Sequence, residues 1–358
     1  MADYKVFDGH NDTLPKLRET SDFLKKSDVL ERSDGSRHLD LPRAREGGMM
    51  GGFFAIFAPA PEGSPEREPR YGLSITEDGY TVTPRSPIDP AYARAFSDRE
   101  LARLEALEEE AGKQLSVVTA YEQLVQNFES GVFSVVVHFE GAEAIDTELT
   151  NLGDYYEMGL RSLGLVWSRP NAFATGVPFR FPHSPDTGPG LTAAGKRLVR
   201  RCNELGIVVD LAHINEKGFW DVAALSDAPL VVSHAAAHAL CPSTRNVTDR
   251  QLDAIAESGG VLGIIFEPLN LRADGMPDQV TSLTEIARHI DYVVSHTGID
   301  HVALGSDFDG AHMPADLGDA SQLPALFDEL ARRGYDHDSL QKIAHENWFR
   351  VLRDTWRD

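Results

Sequence analysis

Histidines and acidic residues stand at the ends of short apolar runs in this sequence, where such side chains could bind a divalent metal. The candidate ligands are His10, Asp12, Glu140, His213 and His234. Neutral imidazole and carboxylate are the ligands that zinc prefers. Because the set exceeds what one tetrahedral catalytic zinc ion needs, it predicts two metal ions that share a bridging carboxylate and keep positions open for water.

The spacing of the candidate ligands along the chain indicates which of them lie close together. His10 and Asp12 are two residues apart, so in an extended strand their side chains point to the same side. Glu140 is the expected bridge, because its strand lies between the strands that carry the other ligands. Asp210 is an alternative to His213 as a ligand, although its position within a strand is more typical of a residue that supports a ligand.

A scaffold must bring these distant residues together, and the apolar pattern indicates which one. Eight short apolar runs have the length of strands, and they cover residues 5–8, 52–57, 132–139, 162–167, 207–212, 229–233, 261–266 and 301–306. Helix signals lie between most of them, which favours a parallel sheet with both faces buried. Eight such units predict an α/β protein with a closed (β/α)8 TIM barrel, whose chemistry belongs at the C-terminal ends of the strands. An open doubly wound sheet is the alternative, but no glycine-rich dinucleotide loop follows the first run.

Local signals mark where the helices begin and end. Capping boxes are predicted at Thr119, Thr248 and Ser282, and Thr192 and Asn215 are further predicted caps. Glycines that stop these helices are Gly131, Gly206, Gly259 and Gly298. Leu101, Leu104 and Leu107 predict an amphipathic helix that begins at Ser97.

Only one stretch departs from the alternation of strands and helices. Residues 59–95 are rich in proline, glycine and charge, which is typical of an insertion. The sequence therefore predicts a single (β/α)8 barrel domain over residues 1–358 with an inserted loop at about 59–95. Its length of 358 residues and its content of 42% hydrophobic and 25% charged residues are ordinary for such a domain.

Charge and composition restrict the partners and the compartment. The chain has 34 Lys and Arg against 56 Asp and Glu, a formal net charge of −22, which disfavours nucleic acid and anionic membrane surfaces as partners. Two cysteines do not make a disulfide framework. The first five residues lack the basic and apolar regions of a secretory signal, and no apolar run is long enough to cross a membrane. We therefore expect a cytoplasmic protein.

The ordered set of motifs resembles the membrane (renal-type) dipeptidase family, the M19 metallopeptidases. The matching segments are residues 8–12, 139–141, 210–213, 233–234, 245–247, 305–310 and 346–352. They span nearly the whole chain in the order of the family, and only the insertion at 59–95 is unlike it. The resemblance implies a barrel of the amidohydrolase-like type with two Zn²⁺ ions per chain, which hydrolyses dipeptides and is usually a homodimer.

The resemblance also implies a ligand set for each metal ion. In the family pattern one zinc ion would be bound by His10, Asp12 and Glu140. The other would be bound by Glu140, His213 and His234. A hydroxide held between two zinc ions exists near neutral pH, because the metals lower the pKa of bound water.

Two further residues acquire roles through the resemblance. Arg245 would hold the C-terminal carboxylate of the substrate, for which a forked guanidinium is suited; otherwise it would be read as a surface arginine on a loop. Asp307 would transfer the proton, with a third metal ligand or a helix cap as the alternative. Asp309, two residues further on, is the rival carboxylate.

One position departs from the family pattern. The family places a histidine at the end of the fourth strand, where it contacts the carbonyl or the oxyanion of the substrate, and this chain has Trp167. An indole can donate one hydrogen bond but cannot carry a positive charge. Trp167 is therefore expected to form a wall of the substrate pocket, and Arg169 or Asn171 could supply the missing contact.

The sequence leaves two other functions open. An amidohydrolase-like enzyme that acts on a non-peptide amide, or a deaminase, would keep the metal barrel but would not need a carboxylate clamp at Arg245. A non-catalytic metal-binding homologue would bind peptides without turnover. The five intact ligand positions favour an enzyme.

Overall fold

The computed structural model describes residues 4–26, 37–68, 70–276 and 280–357. The first three residues, on which part of the expectation of no secretory signal rests, lie outside this range. Eight parallel strands form one continuous sheet in chain order, and a ninth short strand, Leu115–Val117, pairs with the third of them outside this path. The eight are β1 (Val6–Asn11), β2 (Met49–Ile56), β3 (Phe133–Glu140), β4 (Leu160–Gly164), β5 (Val208–Asp210), β6 (Val231–Ala235), β7 (Val261–Ile264) and β8 (Val302–Leu304).

The sheet closes into a barrel between its first and last strands. The amide of Asp307 donates to the carbonyl of His10 (3.0 Å), and the amide of Asp12 donates to the carbonyl of Phe308 (2.8 Å). A parallel bridge between Asn11 and Phe308 lies beside these bonds. The predicted (β/α)8 barrel is therefore confirmed, and each of the eight predicted runs overlaps an observed strand.

Helices follow the strands and cover the outside of the barrel. The α-helices are Thr13–Lys16, Ser21–Leu24, Leu41–Glu46, Pro90–Ala111, Tyr121–Ser130, Leu152–Glu157, Ala193–Leu205, Glu216–Ala223, Asp249–Glu257, Pro268–Leu271, Thr284–Thr297, Leu323–Arg332, His337–Gln341 and Asn347–Thr355. Short 3₁₀ turns lie at Pro65–Arg67, Gly112–Gln114, Ile299–His301 and Ala320–Gln322, and a π-helical turn at Lys342–Glu346. None of the helices within the described residues combines the length and the apolar character needed to span a bilayer.

Three of the predicted caps form as expected. The side chains of Thr192 and Asn215 accept from backbone amides of their first helical turns, and Thr248 forms a capping box with Gln251. Gly131 and Gly206 end their helices in the left-handed conformation, with φ of 79° and 73°. The residues at these helix ends thus determine where the helices begin and end.

Three other predicted caps were wrong. The helix expected from Thr119 begins at Tyr121, and the one expected from Ser282 begins at Thr284, and neither has the predicted capping box. The Ser282 hydroxyl accepts instead from the amide of Thr284, at 3.3 Å. The helix expected from Ser97 begins at Pro90, where Asp89 accepts from the amide of Tyr92. Proline at the first helical position and a preceding aspartate are themselves strong start signals.

Side chains alternate between the inside of the barrel and the helix layer. On β3, Val135 and Val137 pack in the outer core, whereas Val136 packs in a second core inside the barrel. Seven strands each contribute one residue to this inner core: Phe7, Phe53, Val136, Val208, Val231, Val261 and Ala303. Because the period of a strand is two, positions 136, 138 and 140 of β3 all face the interior.

A tryptophan from the C-terminal helix fills the bottom of the barrel. Trp348 is fully buried in the inner core, and its indole N–H donates to the carbonyl of Leu304 at 2.9 Å. A Cβ at Gly9 would collide with this ring, so only glycine fits at that point of β1. The lower end of the barrel is therefore sealed, and the strand ends at the other side remain for chemistry.

The segment predicted as an insertion contains a small sheet above the barrel. Strands Leu73–Thr76 and Gly79–Val82 form an antiparallel hairpin, and the second of them pairs with Arg180–Phe181. The ring of Tyr80 stacks on that of Phe181, with centroids 6.1 Å apart. This hairpin is attached to the loop after β4 and lies over the C-terminal ends of the strands, where its residues line a cavity.

Candidate metal centre and substrate pocket

Three imidazole rings and one carboxylate converge at the C-terminal end of the barrel. Glu140 is the last residue of β3, His10 lies in β1, His234 lies in β6, and His213 follows β5 by three residues. The Oε1 atom of Glu140 lies 3.8 Å from His10 Nε2, 2.9 Å from His213 Nε2 and 3.7 Å from His234 Nε2. One carboxylate oxygen thus faces three imidazoles from three different strands.

The five predicted ligands fall into two overlapping groups. His10, Asp12 and Glu140 place one potential ligand atom each within 4.8 Å of one another, and so do Glu140, His213 and His234. Glu140 belongs to both groups, as the sequence predicts for a bridge. Asp307 forms a third such group with His10 and His234, which is the alternative ligand role considered for it.

The chemistry of the donors fits a metal pair. Neither ring nitrogen of His10 has a hydrogen-bond partner within the described residues, and neither does Oδ1 of Asp12. Buried polar atoms without partners are rare in folded proteins, and converging lone pairs are what a cation would satisfy. Atoms bound to one tetrahedral zinc ion lie about 3.3 Å apart, and the spacings around Glu140 of 2.9–3.8 Å match this scale.

The pKa shifts of the candidate ligands also favour a bound cation. Burial raises the pKa of Glu140 well above its usual value, and the nearby carboxylates of Asp12 and Asp307 raise it further. Burial lowers the pKa values of His10, His213 and His234 well below their usual range, which favours the neutral form of all three rings. Neutral rings beside crowded carboxylates are ready ligands for a cation, which would relieve the repulsion between the carboxylates.

A serine and an aspartate fix the tautomer of His234. The hydroxyl of Ser233 donates to Asp210 Oδ2 at 2.6 Å, and Asp210 also accepts from the amide of Ser233 at 2.8 Å. The hydroxyl has only one proton, so at its 2.8 Å contact with His234 it accepts from Nδ1–H. His234 Nε2 is therefore the unprotonated nitrogen, and its lone pair faces the centre.

The hydrogen bonds of Asp210, the alternative to His213 as a ligand, show where its carboxylate lies. Its carboxylate accepts three hydrogen bonds from the loop and from the neighbouring strand, including one from the amide of Ala212 at 3.1 Å. It belongs to none of the metal-binding groups in the described part of the chain. His213, rather than Asp210, lies beside Glu140, and its Nδ1 contacts Ser168 Oγ at 2.8 Å.

Two residues of the centre have a strained backbone. His213 and Asp307 both adopt positive φ angles, 64° and 61°, just beyond the ends of their strands. Such conformations cost about 1–3 kcal/mol for residues other than glycine, and they are concentrated at functional sites. In this chain they turn both side chains back over the barrel mouth.

Asp307 and its rival Asp309 face different surroundings. Asp307 lines the cavity, and its Oδ1 lies 3.9 Å from His10 Nε2. Burial raises its pKa well above the usual value, and the charge of Asp12 adds to this. Asp309 is turned away, since it accepts from Thr13 Oγ1 at 2.7 Å and from the amide of His38 at 2.5 Å. Of these two carboxylates, Asp307 is the one that can exchange a proton with a group in the cavity.

A cavity of about 320 Å³ opens above the centre. Its walls come from the metal-binding groups, the loops after β4, β6, β7 and β8, and the inserted hairpin. Lining residues include Asp12, Glu140, His213, Arg245, Asp307, Trp167, Phe179, Ile265, Glu267, Leu269, Tyr71, Tyr80 and Arg85. The sequence did not predict that Glu267 and the hairpin would line the cavity, because no local motif indicates it.

Arg245 is buried in the wall of this cavity rather than exposed on a loop. It is 5% exposed, and its Nη2 donates to the carbonyl of His234 at 3.0 Å. Burial lowers its pKa, while the charges of Asp307, Glu140 and Glu267 oppose that shift and keep it a cation. A buried guanidinium whose other donors have no hydrogen-bond partner among the described residues is suited to a carboxylate ligand.

Trp167 packs in an aromatic cluster at the edge of the cavity. Its ring centroid lies 4.8 Å from that of Phe57 and 5.5 Å from that of Phe179, with the guanidinium of Arg169 at 5.3 Å. Arg169 is itself occupied by Glu143, to which its Nε donates at 2.9 Å. Asn171 holds a turn of its own loop, so neither it nor Arg169 lines the cavity or replaces the family histidine there.

Comparison with known proteins agrees with this geometry. The sequence pattern of the membrane dipeptidase family, peptidase family M19, matches residues 1–357. A metallopeptidase of family M19 described as dipeptidase AC has 43% identity and a TM-score of 0.90, with 99% of each chain covered. A metallopeptidase from Rhodobacter sphaeroides, solved with a phosphinate mimic of the dipeptide L-Ala-D-Ala, has 44% identity, a TM-score of 0.89 and the same coverage.

A curated relative is also similar to most of this chain. An uncharacterized protein encoded in the pqqA 5′ region of Klebsiella pneumoniae is 46% identical over 274 residues, which are 76% of this chain and 99% of that protein. The family pattern itself covers residues 1–357, which include every strand end that carries a candidate ligand. This chain belongs to the membrane dipeptidase family of metallopeptidases, M19.

Proposed function

We propose that the chain is a binuclear zinc dipeptidase that hydrolyses the peptide bond of dipeptides with a free C-terminal carboxylate. The observation that carries the proposal is the position of Glu140 Oε1, within 3.8 Å of three imidazole nitrogens. In the proposal, residues 1–358 act as one barrel domain with an insertion at about 59–95. The homodimer and the cytoplasmic location stay predictions.

The proposal gives each candidate ligand a role. His10, Asp12 and Glu140 would hold one zinc ion, and Glu140, His213 and His234 the other. When bound, zinc lowers the pKa of a coordinated water toward neutrality and polarises a carbonyl group. The hydrogen bond from His234 Nδ1 to Ser233 keeps the other nitrogen of that ring free for a metal.

The remaining residues bind and orient the dipeptide. Arg245 would hold the C-terminal carboxylate, and Trp167 would form the wall beside the scissile bond. Asp307 would accept the proton lost by the attacking water and pass it to the nitrogen of the leaving amino acid, so that the acyl carbon gains hydroxyl and the amine gains hydrogen. Burial raises the pKa of Asp307, which suits a group that must both take and give a proton.

A relative supports the choice of substrate class. The Rhodobacter sphaeroides metallopeptidase was solved with a phosphinate that mimics a dipeptide, and it shares 44% of its residues with this chain over 99% of the length. A phosphinate is tetrahedral at phosphorus, like the carbon of a peptide bond under attack by water. We carry the dipeptide, although not its sequence, over to this chain.

The direct test is a panel of L-L and L-D dipeptides, with each C-terminal amide as its partner, assayed with protein stripped by chelator and reloaded with zinc. We expect hydrolysis of the free dipeptides, no hydrolysis of the amides, and about two zinc ions per chain by elemental analysis. Equal hydrolysis of the amides would favour an enzyme for non-peptide amides. Binding of dipeptides without hydrolysis would favour a non-catalytic homologue.

Glu140→Gln separates the bridge from a merely structural carboxylate. It should abolish hydrolysis and lower bound zinc from two ions toward one or none. Glu148→Gln is the matched control, because Glu148 follows the same strand but its side chain is 79% exposed. Full zinc content and normal turnover in Glu140→Gln would refute the bridging role.

A further inference from the structure

A carboxylate that the proposed reaction does not use lies in the wall of the substrate cavity. Glu267 directly precedes the short helix Pro268–Leu271 after β7, and it lines the same cavity as Arg245. Its one side-chain hydrogen bond within the described residues comes from Asn270 Nδ2, at 3.2 Å to Oε2. No cation of the described residues forms an ion pair with it.

The loops that carry Glu267 and Arg245 are tied together. Asn246 Nδ2 donates to the carbonyl of Asn270 at 2.8 Å, and Asn246 Oδ1 accepts from the amide of Ala236 at 3.0 Å. Asn246 is the residue next to Arg245, and Asn270 is the residue that contacts Glu267. The arginine and the glutamate are therefore held as neighbours by buried side-chain bonds, and their charges interact.

Apolar surface lies next to this carboxylate. Ile265 and Leu269, on either side of Glu267 in sequence, line the cavity, and so do Leu73 and Val82 of the hairpin. Long cationic side chains bury their methylene groups along apolar surface and place the charge at its end. The cavity thus has apolar side chains and a carboxyl group in its wall. Burial raises the pKa of Glu267 to about 7, and a cation beside it would favour its charged form.

We propose that Glu267 selects dipeptides whose second residue carries a cationic side chain, such as lysine. The inference rests on the proposed function, in which Arg245 holds the C-terminal carboxylate of that same residue. The side chain branches from the carbon that bears this carboxylate, so a group beside Arg245 is within its reach. The ammonium of the ligand would supply an ion-pair partner for Glu267, whose hydrogen bond within the described residues comes from the neutral amide of Asn270.

The test compares Ala-Lys with Ala-norleucine, whose side chains share the four-carbon stem and differ in charge. We expect the zinc-loaded protein to have a kcat/KM about tenfold higher for Ala-Lys, as for a charge-assisted hydrogen bond. Glu267→Gln keeps an oxygen for Asn270 to donate to, and it should reduce the ratio to about one. Glu257→Gln, an exposed change of the same charge, should leave the ratio as it is.

Two results would overturn the inference. One is equal kcat/KM values for the two dipeptides with the unaltered protein, and the other is an unchanged preference in Glu267→Gln, including an equal loss for both dipeptides. Such an equal loss would mean that Glu267 contacts a feature common to all dipeptides, such as the α-ammonium.

Binding of the free amino acids provides a readout without turnover. Lysine should bind the zinc-loaded protein about tenfold more tightly than norleucine in calorimetry, and Glu267→Gln should abolish the difference. A protein that hydrolyses no dipeptide would refute the proposed function alone. The binding comparison would then decide the selectivity of Glu267 by itself, with equal affinities counting against it.

Discussion

Replacing Ser233 by alanine tests whether the hydroxyl that orients His234 matters for metal binding. The change removes two bonds at once, the 2.6 Å donation to Asp210 Oδ2 and the 2.8 Å acceptance from His234 Nδ1. His234 could then exchange its proton between the two nitrogens or rotate. Loss of such a supporting contact lowers metal affinity about 10–100-fold, which corresponds to roughly 1.4–2.7 kcal/mol.

Zinc affinity can be measured by competition with a chromophoric chelator at neutral pH, with the free energy of unfolding measured in parallel. Ser306→Ala is a matched control. Ser306 binds Asp8 through its amide (2.7 Å) and its hydroxyl (2.7 Å), much as Ser233 binds Asp210, but within the described residues its hydroxyl contacts no imidazole. Both variants should lose stability by about 1–3 kcal/mol, since each leaves a buried carboxylate oxygen without its donor.

The two variants should differ in zinc affinity. Ser233→Ala should lower the affinity for one zinc ion about 10–100-fold, whereas Ser306→Ala should change the zinc affinity less than about threefold. Ser168→Ala should fall between them, because the hydroxyl of Ser168 contacts His213 Nδ1 but donates to no carboxylate within the described residues. Equal losses in Ser233→Ala and Ser306→Ala, or full affinity in Ser233→Ala, would refute the orienting role of the hydroxyl.

Further predictions concern the clamp, the aromatic wall and acid stability. Arg245→Ala should raise KM for dipeptides about 30-fold or more, Arg245→Lys should recover only part of the loss because the fork is missing, and unchanged kinetics in both would exclude the clamp. Trp167→His should lower kcat several-fold, since the guanidinium of Arg169 beside the ring disfavours an imidazolium, and a higher kcat on common dipeptides would contradict this. His289 is fully buried with Nε2 donating to the carbonyl of Leu271, and burial lowers its pKa to about 4 from 6.5. Its neutral form is favoured by folding, so its contribution is complete above pH 6.5 and is lost as the pH falls toward 4. Between pH 6.5 and 4, the free energy of unfolding of the unaltered protein should fall more steeply than that of His289→Gln, by up to about 1.4 kcal/mol per pH unit. Parallel curves for the two proteins would count against this reasoning.

The strands could be predicted because their signal is carried by the chain itself. A strand buried on both faces is apolar along its whole length, as 132–139 is, and the structure has Phe133–Glu140 in that place. The barrel rule then gives the positions of Glu140 and His234 at strand ends, which the structure confirms. Strand limits moved by one to three residues, since the last hydrogen bonds depend on the neighbouring strand.

Helix starts were predictable only where the cap is local. Thr192 and Asn215 cap through their own side chains, and both were found. At Thr119 the residue's amide donates instead to the side chain of Gln123, one turn later, so the expected box does not form. Ser97 lies inside a longer helix, because Asp89 with the proline that follows it begins the helix earlier.

Parts of the site depend on distant contacts and could not be found from motifs. Asp210 meets Ser233 across the register of two strands, and Glu267 meets the Arg245 loop through two asparagines. Tyr80 reaches the cavity only because the inserted hairpin pairs with Arg180–Phe181. The composition of the insertion indicated a loop, and the pairing that places it above the barrel is long-range.

The tryptophan that closes the bottom of the barrel has a consequence for how the protein is made. Trp348 packs among side chains from seven strands, and its neighbour Phe349 contacts the ring of Phe7, with centroids 5.8 Å apart. During synthesis the inner core therefore stays open until residue 348 has left the ribosome, although β1 has emerged long before. Contacts of such sequence separation slow folding and expose apolar surface in the meantime. Nascent chains should therefore expose part of this apolar core until residues 348 and 349 have emerged.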